Sequence, residues 1–155
     1  MNLDYVSLGK ICQFKRGSVI TAKNAIEGDV PVIAGGQTPS YYHNVYNRTG
    51  QTIVVAGSGA YAGFVSFWEE PIFVSDAFTV EPSPQALHKY IFHYLKLKQK
   101  WIYEQQKGAG VPHVHGSDIS RLLIPIPPIE EQENIVNKLD TFTTLIEKLG
   151  EEIEL

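Results

Sequence analysis

Cysteine is almost absent: Cys12 is the only one among 155 residues. That excludes an internal disulfide and any zinc site built on several thiolates, and it fits a reducing, cytoplasmic setting. No stretch approaches the ~20 consecutive apolar residues of a membrane-crossing helix. The opening MNLDYVSLGK has no basic region followed by a long apolar run, so it does not read as a secretory signal.

Catalytic signatures are missing too. Gly57-Ser58-Gly59 with Gly63 misses the G-x-G-x-x-G spacing, because its third glycine comes one residue late. A strand pattern follows it rather than a helix, so it reads as a tight hairpin turn. Ser58 is not in a nucleophile elbow, and Cys12 has no His nearby. Neither a DPPY- or NPPF-like methyltransferase motif nor a PD…ExK nuclease cluster is present. The pairs Glu69-Glu70 and Glu130-Glu131 are sequence neighbours whose side chains diverge, so they make no acid–base pair. His113 and His115 alternate, which puts them on one face of an extended segment. Asp118 is the only carboxylate near enough to join them, short of a normal zinc ligand set. A metal-dependent hydrolase using these three is therefore a disfavoured reading, and bound metal would revive it. The residues describe a chain without a catalytic centre.

What is present is the make-up of a folded domain, with 43% apolar and 19% charged residues. The net charge of −4 is unevenly spread. Residues 1–121 carry 11 Lys/Arg against 9 Asp/Glu, a net +2, and residues 122–155 carry 2 Lys against 8 Asp/Glu, a net −6. The body is mildly basic and permits a phosphate-contacting face.

The first ~80 residues read as strands and turns. The expected strands are Val30–Ala34, Thr52–Ala56, Gly63–Phe67 and Ala77–Val80. A helix follows, with Ser83 as N-cap, Pro84 at its first position and an end near Lys107. Gly108–Gly116 is a loop, Ser117 and Asp118 cap a single turn, and LLIPIPP is extended. From Ile129 the spacing becomes helical. Ile135, Leu139, Phe142, Ile146, Leu149 and Ile153 recur at intervals of four and three, a heptad seam; a helix packed on its own domain would show a similar stripe, but the narrow seam favours a partner helix. The seam is still running at Leu155.

Cations, amides and aromatics gather in the loop segments. Lys15, Arg16, Lys23, Gln37, Tyr41, Tyr42, His43, Asn44, Arg48, Ser58, Tyr61, Lys107, His113 and His115 suit DNA binding, and by composition alone they suit an ordinary solvated surface equally well. Lys15, Arg16 and Arg48 are assigned to phosphates; Gln37, Tyr42, Asn44 and Ser58 are assigned to base edges. The loop Lys107–His115 is expected to face DNA, with no large apolar side chain projecting from it.

The stretch LLIPIPPIEEQENIVNKLD, Leu122–Asp140, resembles the signature of type I restriction-modification DNA specificity subunits. LGKICQFKRG resembles the opening of one of their target recognition domains. GSGAYAGFVSFWEEPIFVSDAFTVEP and KGAGVPHVHGSDISRLLIPIP resemble their central and closing segments. The resemblance implies an α+β fold: a β-rich target recognition domain over 1–127 with one packed long helix, then a spacer and dimerisation helix over 128–155. It implies one half of a full subunit, whether natural or truncated. Implied function is reading of one half of a bipartite double-stranded DNA target and docking of methyltransferase and restriction subunits. Those partners would use S-adenosylmethionine, ATP and Mg2+; this chain would need no cofactor. A weak homodimer through the C-terminal helix is expected. The alternative is a non-catalytic interaction module that lacks specific DNA binding and competes for methyltransferase subunits.

Overall fold

The run Thr52–Ala56 is buried at every position, although a half-covered strand should alternate. It is covered on both faces, which removes the need for polar residues on either. Ile53 and Val55 face the main core, whereas Val54 faces a second, smaller one.

The structure is a computed structural model and describes residues 3–154. In chain order it forms β1 (Tyr5–Ser7), α1 (Leu8–Ile11), β2 (Cys12–Arg16), β3 (Val30–Ile33), β4 (Tyr41–His43), β5 (Thr52–Ala56), β6 (Val65–Trp68), β7 (Phe73–Val74), β8 (Ala77–Pro82), α2 (His88–Leu97), α3 (Gln99–Tyr103), α4 (Gly116–Ile119), β9 (Leu123–Pro125) and α5 (Ile129–Glu154). The central sheet has the order β2-β8-β5-β6 and is antiparallel throughout. A second sheet, β4-β3-β7, contains the one parallel pair among the described strands, β3 with β7. β1 and β9 form a two-stranded antiparallel pair. The fold is α+β, as the sequence led us to expect.

The main core lies between the central sheet and the helices, with Leu8, Ile53, Val55, Phe78, Ile91, Leu95, Ile102 and Ile124 within it. The smaller core, Ile33, Val54, Ile72, Val74 and Ala77, joins the second sheet to the first. Burying a side chain of this size stabilises the fold by about 1.5–3 kcal/mol.

The expected long helix departs from its sequence reading at both ends. Ser83 is not its cap: the Ser83 N–H is taken by Ile11 O at 2.7 Å, and its hydroxyl has no partner. Residues 83–86 instead make a turn, closed by Ala86 N–H donating to Ser83 O at 3.1 Å. α2 starts at His88, and the Leu87 N–H is satisfied by Gln132 Oε1 of α5 at 2.9 Å. The helix then breaks at Lys98. Gln99 opens α3 and turns its side chain to β6, accepting Val65 N–H at 2.9 Å and donating to Gly63 O at 2.8 Å. α3 stops at Tyr103, short of Lys107.

The proline-rich run behaves as its residues dictate. β9 ends at Pro125 in a pair, not a central position. Tyr90 and Tyr94 of α2 hold it by donating to Pro125 O at 2.6 Å and Leu123 O at 2.8 Å.

α5 divides into two halves. Its first turns belong to the body: Gln132 and Val136 are buried, and Asp140 meets α2. From Thr141 to Glu152 every side chain is exposed.

Candidate nucleic-acid interface

One end of the central sheet collects three loops. β2 ends there at Arg16, β8 begins there at Ala77, and β5 ends there at Ala56. The β5–β6 connection and the loop 107–115 are bonded to each other at this end. Gly59 N–H donates to Pro112 O at 3.0 Å and Val114 N–H to Gly57 O at 3.0 Å. Lys107 and His113 close the second loop with reciprocal backbone bonds of 2.9 and 2.7 Å. Its tip turns through Gly108 and Gly110 at φ of 118° and 97°, angles that side chains disfavour. The β3–β4 loop comes in alongside, where a Cβ on Gly35 would lie 2.5 Å from Ser58 O. Only glycine permits that approach.

Arg16, Gln37, Ser58, Tyr61, Lys107, His113 and His115 thus sit on loops or strand ends at one mouth. Lys15 lies one residue back on β2, and its side chain is exposed. The β5–β6 connection runs from Gly57 to Phe64, longer than the tight turn read from its glycines. His113 and His115 point outward with their rings near-parallel and 6.2 Å apart, while Val114 between them is buried. Val111 projects from the same loop, which therefore is not free of exposed apolar side chains.

Electrostatics temper the expected positive charge here. Lys107 Nζ lies 2.8 Å from Asp118 Oδ1. Asp118 also accepts His115 N–H at 2.8 Å, closing the first turn of α4. Burial alone would raise the Asp118 carboxyl. The Lys107 hydrogen bond, the His115 N–H and both neighbouring charges outweigh it, and the pKa is lowered. Lys107 thus presents a paired ammonium. Among the described residues, no group of three His, Cys, Asp or Glu side chains converges as a metal site would require.

Two expected DNA contacts are spent inside the protein. His43 is 7% exposed; its Nδ1 accepts Ile26 N–H at 3.0 Å and its ring packs edge-on against Phe73. The Arg48 side chain is 10% exposed. Its guanidinium donates to Lys15 O at 3.2 Å, Arg16 O at 3.0 Å, Asn47 O at 3.0 Å and Thr79 Oγ1 at 3.2 Å. It is a tie across β2 and is not free to grip a phosphate. Tyr41 is half-buried and donates its phenol to Ile20 O at 2.9 Å. Lys23, Tyr42 and Asn44 are exposed on a separate patch, beside a shallow cleft lined by Glu27, Asp29, Tyr41 and Tyr42.

The sequence reading missed Asp76. It precedes β8, and its carboxylate accepts the Ser58 hydroxyl and faces Arg16. The one signal for it was an acidic residue at a strand start. Tyr46, exposed beside the second patch, was missed as well.

The helix seam also divides. Ile135 packs against the core, and the deeper contacts are Gln132 and Val136. Leu139, Phe142, Ile146 and Leu149 are exposed, Phe142 at 61%, and Leu145 joins them unforeseen. Ile153 lies outside the residues whose side chains are described. A groove lined by Tyr90, Tyr94, Leu97, Ile135 and Leu139 continues the seam onto the body. No helix among the described residues is long and apolar enough to cross a membrane.

A β-rich body with loops gathered at one sheet end, followed by a long projecting helix, defines a class that comparison with known proteins names. The chain belongs to the type I restriction modification DNA specificity domain family, whose model matches residues 2–155. It is 33% identical over 104 residues to the type I restriction enzyme MjaVIII specificity subunit of Methanocaldococcus jannaschii, covering 66% of this chain and 24% of the relative. It is 26% identical to a putative specificity subunit of Haemophilus influenzae, S.HindORF215P, over 96% of this chain and 41% of the relative. The solved S subunit of a type I restriction-modification system from M. genitalium superposes with a TM-score of 0.82 at 25% identity, over 99% of this chain and 42% of that one. The HsdS subunit of Thermoanaerobacter tengcongensis shares the fold, with a TM-score of 0.72 at 19% identity. The chain thus spans between a quarter and two-fifths of the length of these relatives. They are named as specificity subunits, not as methylases or nucleases, in keeping with the non-catalytic reading.

Proposed function

We propose that this chain reads one half of a bipartite double-stranded DNA target and presents it to the methyltransferase and restriction subunits of a type I complex. The observation that carries the DNA reading is the convergence of three polar loops, 34–40, 57–64 and 107–115, at one end of a rigid sheet. Loops on a fixed scaffold suit base readout, because the scaffold sets their register while their side chains vary. Lys15, Arg16, Gln37, Ser58, Tyr61, His113 and His115 line or adjoin this mouth. Lys23, Tyr42 and Asn44 offer a second, separate polar patch at β4 and the β2–β3 connection. Catalysis, with S-adenosylmethionine, ATP and Mg2+, falls to the partners.

The exposed face of α5 is the protein-binding element in this reading. It pairs with a second helix, supplied in the simplest case by another copy of the chain as a weak dimer. Partner subunits dock on the complex so formed.

The test is to co-purify the chain with its methyltransferase partner and map methylated adenines across a genome. A split recognition sequence is expected. A stable complex that methylates nothing and binds DNA without preference would favour the competing interaction-module reading.

A further inference from the structure

We infer that Arg16 reads a guanine and that Asp76 is the positioning residue that aims it. This rests on the DNA-reading function proposed above and reassigns Arg16 from the phosphate role its sequence position suggested.

Arg16 is fixed at its base. It pairs with Phe78 in the β2–β8 ladder, and its carbonyl accepts a hydrogen bond from Arg48 Nη2 at 3.0 Å. The next residue, Gly17, donates its N–H to Ala77 O at 2.9 Å. Asp76 is fixed as well. Its carbonyl takes the Gly57 N–H at 3.1 Å, and its Oδ2 accepts the Ser58 hydroxyl. That leaves Oδ1 facing Arg16 Nη2 at 3.7 Å, with the arginine side chain 59% exposed. The backbone of Arg16 is anchored, and its guanidinium is flanked by a carboxylate on one side and open in front.

A phosphate contact needs none of this. It asks for positive charge in the right region, which a mobile lysine supplies, and a neighbouring carboxylate weakens it. Base reading asks for the opposite, a guanidinium held in plane at some cost in net charge. Arginine carries five N–H donors, so one edge can face Asp76 while another meets two parallel acceptors. In the major groove the base with two adjacent acceptors is guanine, through O6 and N7; adenine sets a donor beside its acceptor. Ser58, on this account, steadies Asp76 and does not itself read a base.

The test uses the chain in complex with its methyltransferase partner, on a duplex library randomised across the recognition sequence. The wild-type complex should select a guanine at one position of the half-site. Arg16→Lys keeps the charge and loses the fork; preference for that guanine should fall about 10- to 100-fold, with other positions and the salt slope unchanged. Asp76→Asn should relax the same position about 3- to 10-fold. If it melts early, Ser58→Ala loosens the carboxylate without touching Asp76 and should relax that position in the same direction. Uniform weakening on every sequence in Arg16→Ala, with a salt slope lower by about one, would return Arg16 to phosphate and overturn the inference. Loss of guanine selection in Arg16→Lys with none in Asp76→Asn and Ser58→Ala would overturn the positioning role. A cytosine preference lost in Asp76→Asn alone would make Asp76 the reader and overturn both. A wild-type complex with no preferred sequence would overturn the proposed function first, and this inference with it.

Discussion

Gln132 of α5 accepts the Leu87 N–H at 2.9 Å, and so one buried side chain caps the start of α2 from 45 residues away. Its amide nitrogen also donates to Gln85 O and Pro127 O, each at 2.9 Å. Every polar atom of this fully buried side chain is thereby bonded. Gln132→Ala strands one donor and two acceptors. Each buried group left unpaired costs about 1–3 kcal/mol, with partial relief from entering water. The urea midpoint should fall clearly, and α5 should loosen from α2. An unchanged midpoint would show that this contact does not hold the two helices together.

Asp140 makes the second tie, to His93 Nε2 at 2.9 Å and Lys89 Nζ at 3.0 Å. Burial would raise its carboxyl, but the bonds to Lys89 and His93 and their charges lower the pKa overall. A carboxyl lowered on folding stabilises the fold above its unfolded value of about 3.9. That stabilisation is lost as pH falls through the lowered folded value. Because the site is partly exposed, Asp140→Asn should cost under about 1 kcal/mol near pH 6. The difference from wild type should shrink towards zero below about pH 4. Denaturation curves at several pH values check both points.

Salt dependence separates two lysines that the sequence treats alike. Lys15→Ala should lower the slope of log affinity against log salt by about one, if its ammonium meets a phosphate. Lys107→Ala should change it far less, because that ammonium is already paired with Asp118. Equal effects would mean that the Lys107–Asp118 pair opens on DNA.

Phe142 and Leu145 are exposed, on a stretch of α5 whose side chains are all exposed from Thr141 to Glu152. Sedimentation should show concentration-dependent self-association, and Phe142→Glu or Leu139→Glu should abolish it without lowering the melting temperature. A monomer at high concentration, indifferent to both changes, would rule out pairing through this seam.

Cys12 is buried at the start of β2, and burial pushes its thiol up to about 12. The thiolate is the reactive form, so alkylating reagents should leave the native protein untouched. Modification should appear only with global unfolding, which makes its rate a direct measure of opening.

Local pattern sufficed where partners are near or chemistry is generic. The apolar runs at β3, β5 and β8 were legible, because burial selects Val, Ile and Phe whatever the topology. The extended proline run was legible for a similar reason, since proline restricts its own backbone. What escaped was settled by distant pairings. Ser83 and Pro84 look like a helix start, yet Ile11 claims the Ser83 N–H and Gln132 supplies the cap. Arg48 looks like a phosphate grip, and the carbonyls that consume it lie 32 and 33 residues away. His43 looks like a polar loop residue, and its partner is Ile26 in another loop. At the mouth, the polar residue types could be read from the sequence, but their grouping could not. Asp76 becomes visible only when β8 and β5 lie side by side.

The division of α5 has a mechanical consequence. Its docked turns, held at Gln132 and Asp140, form a pivot, and the remainder is a lever. At about 1.5 Å per residue, the stretch beyond Asp140 projects roughly 20 Å. A tilt of about 10° at the pivot would move the far end by about 3.5 Å, close to the rise of one base pair along a DNA strand. Until a partner covers the apolar side chains along the arm, the placement of its far end is decided near the body, where a buried amide and a carboxylate grip the first turns.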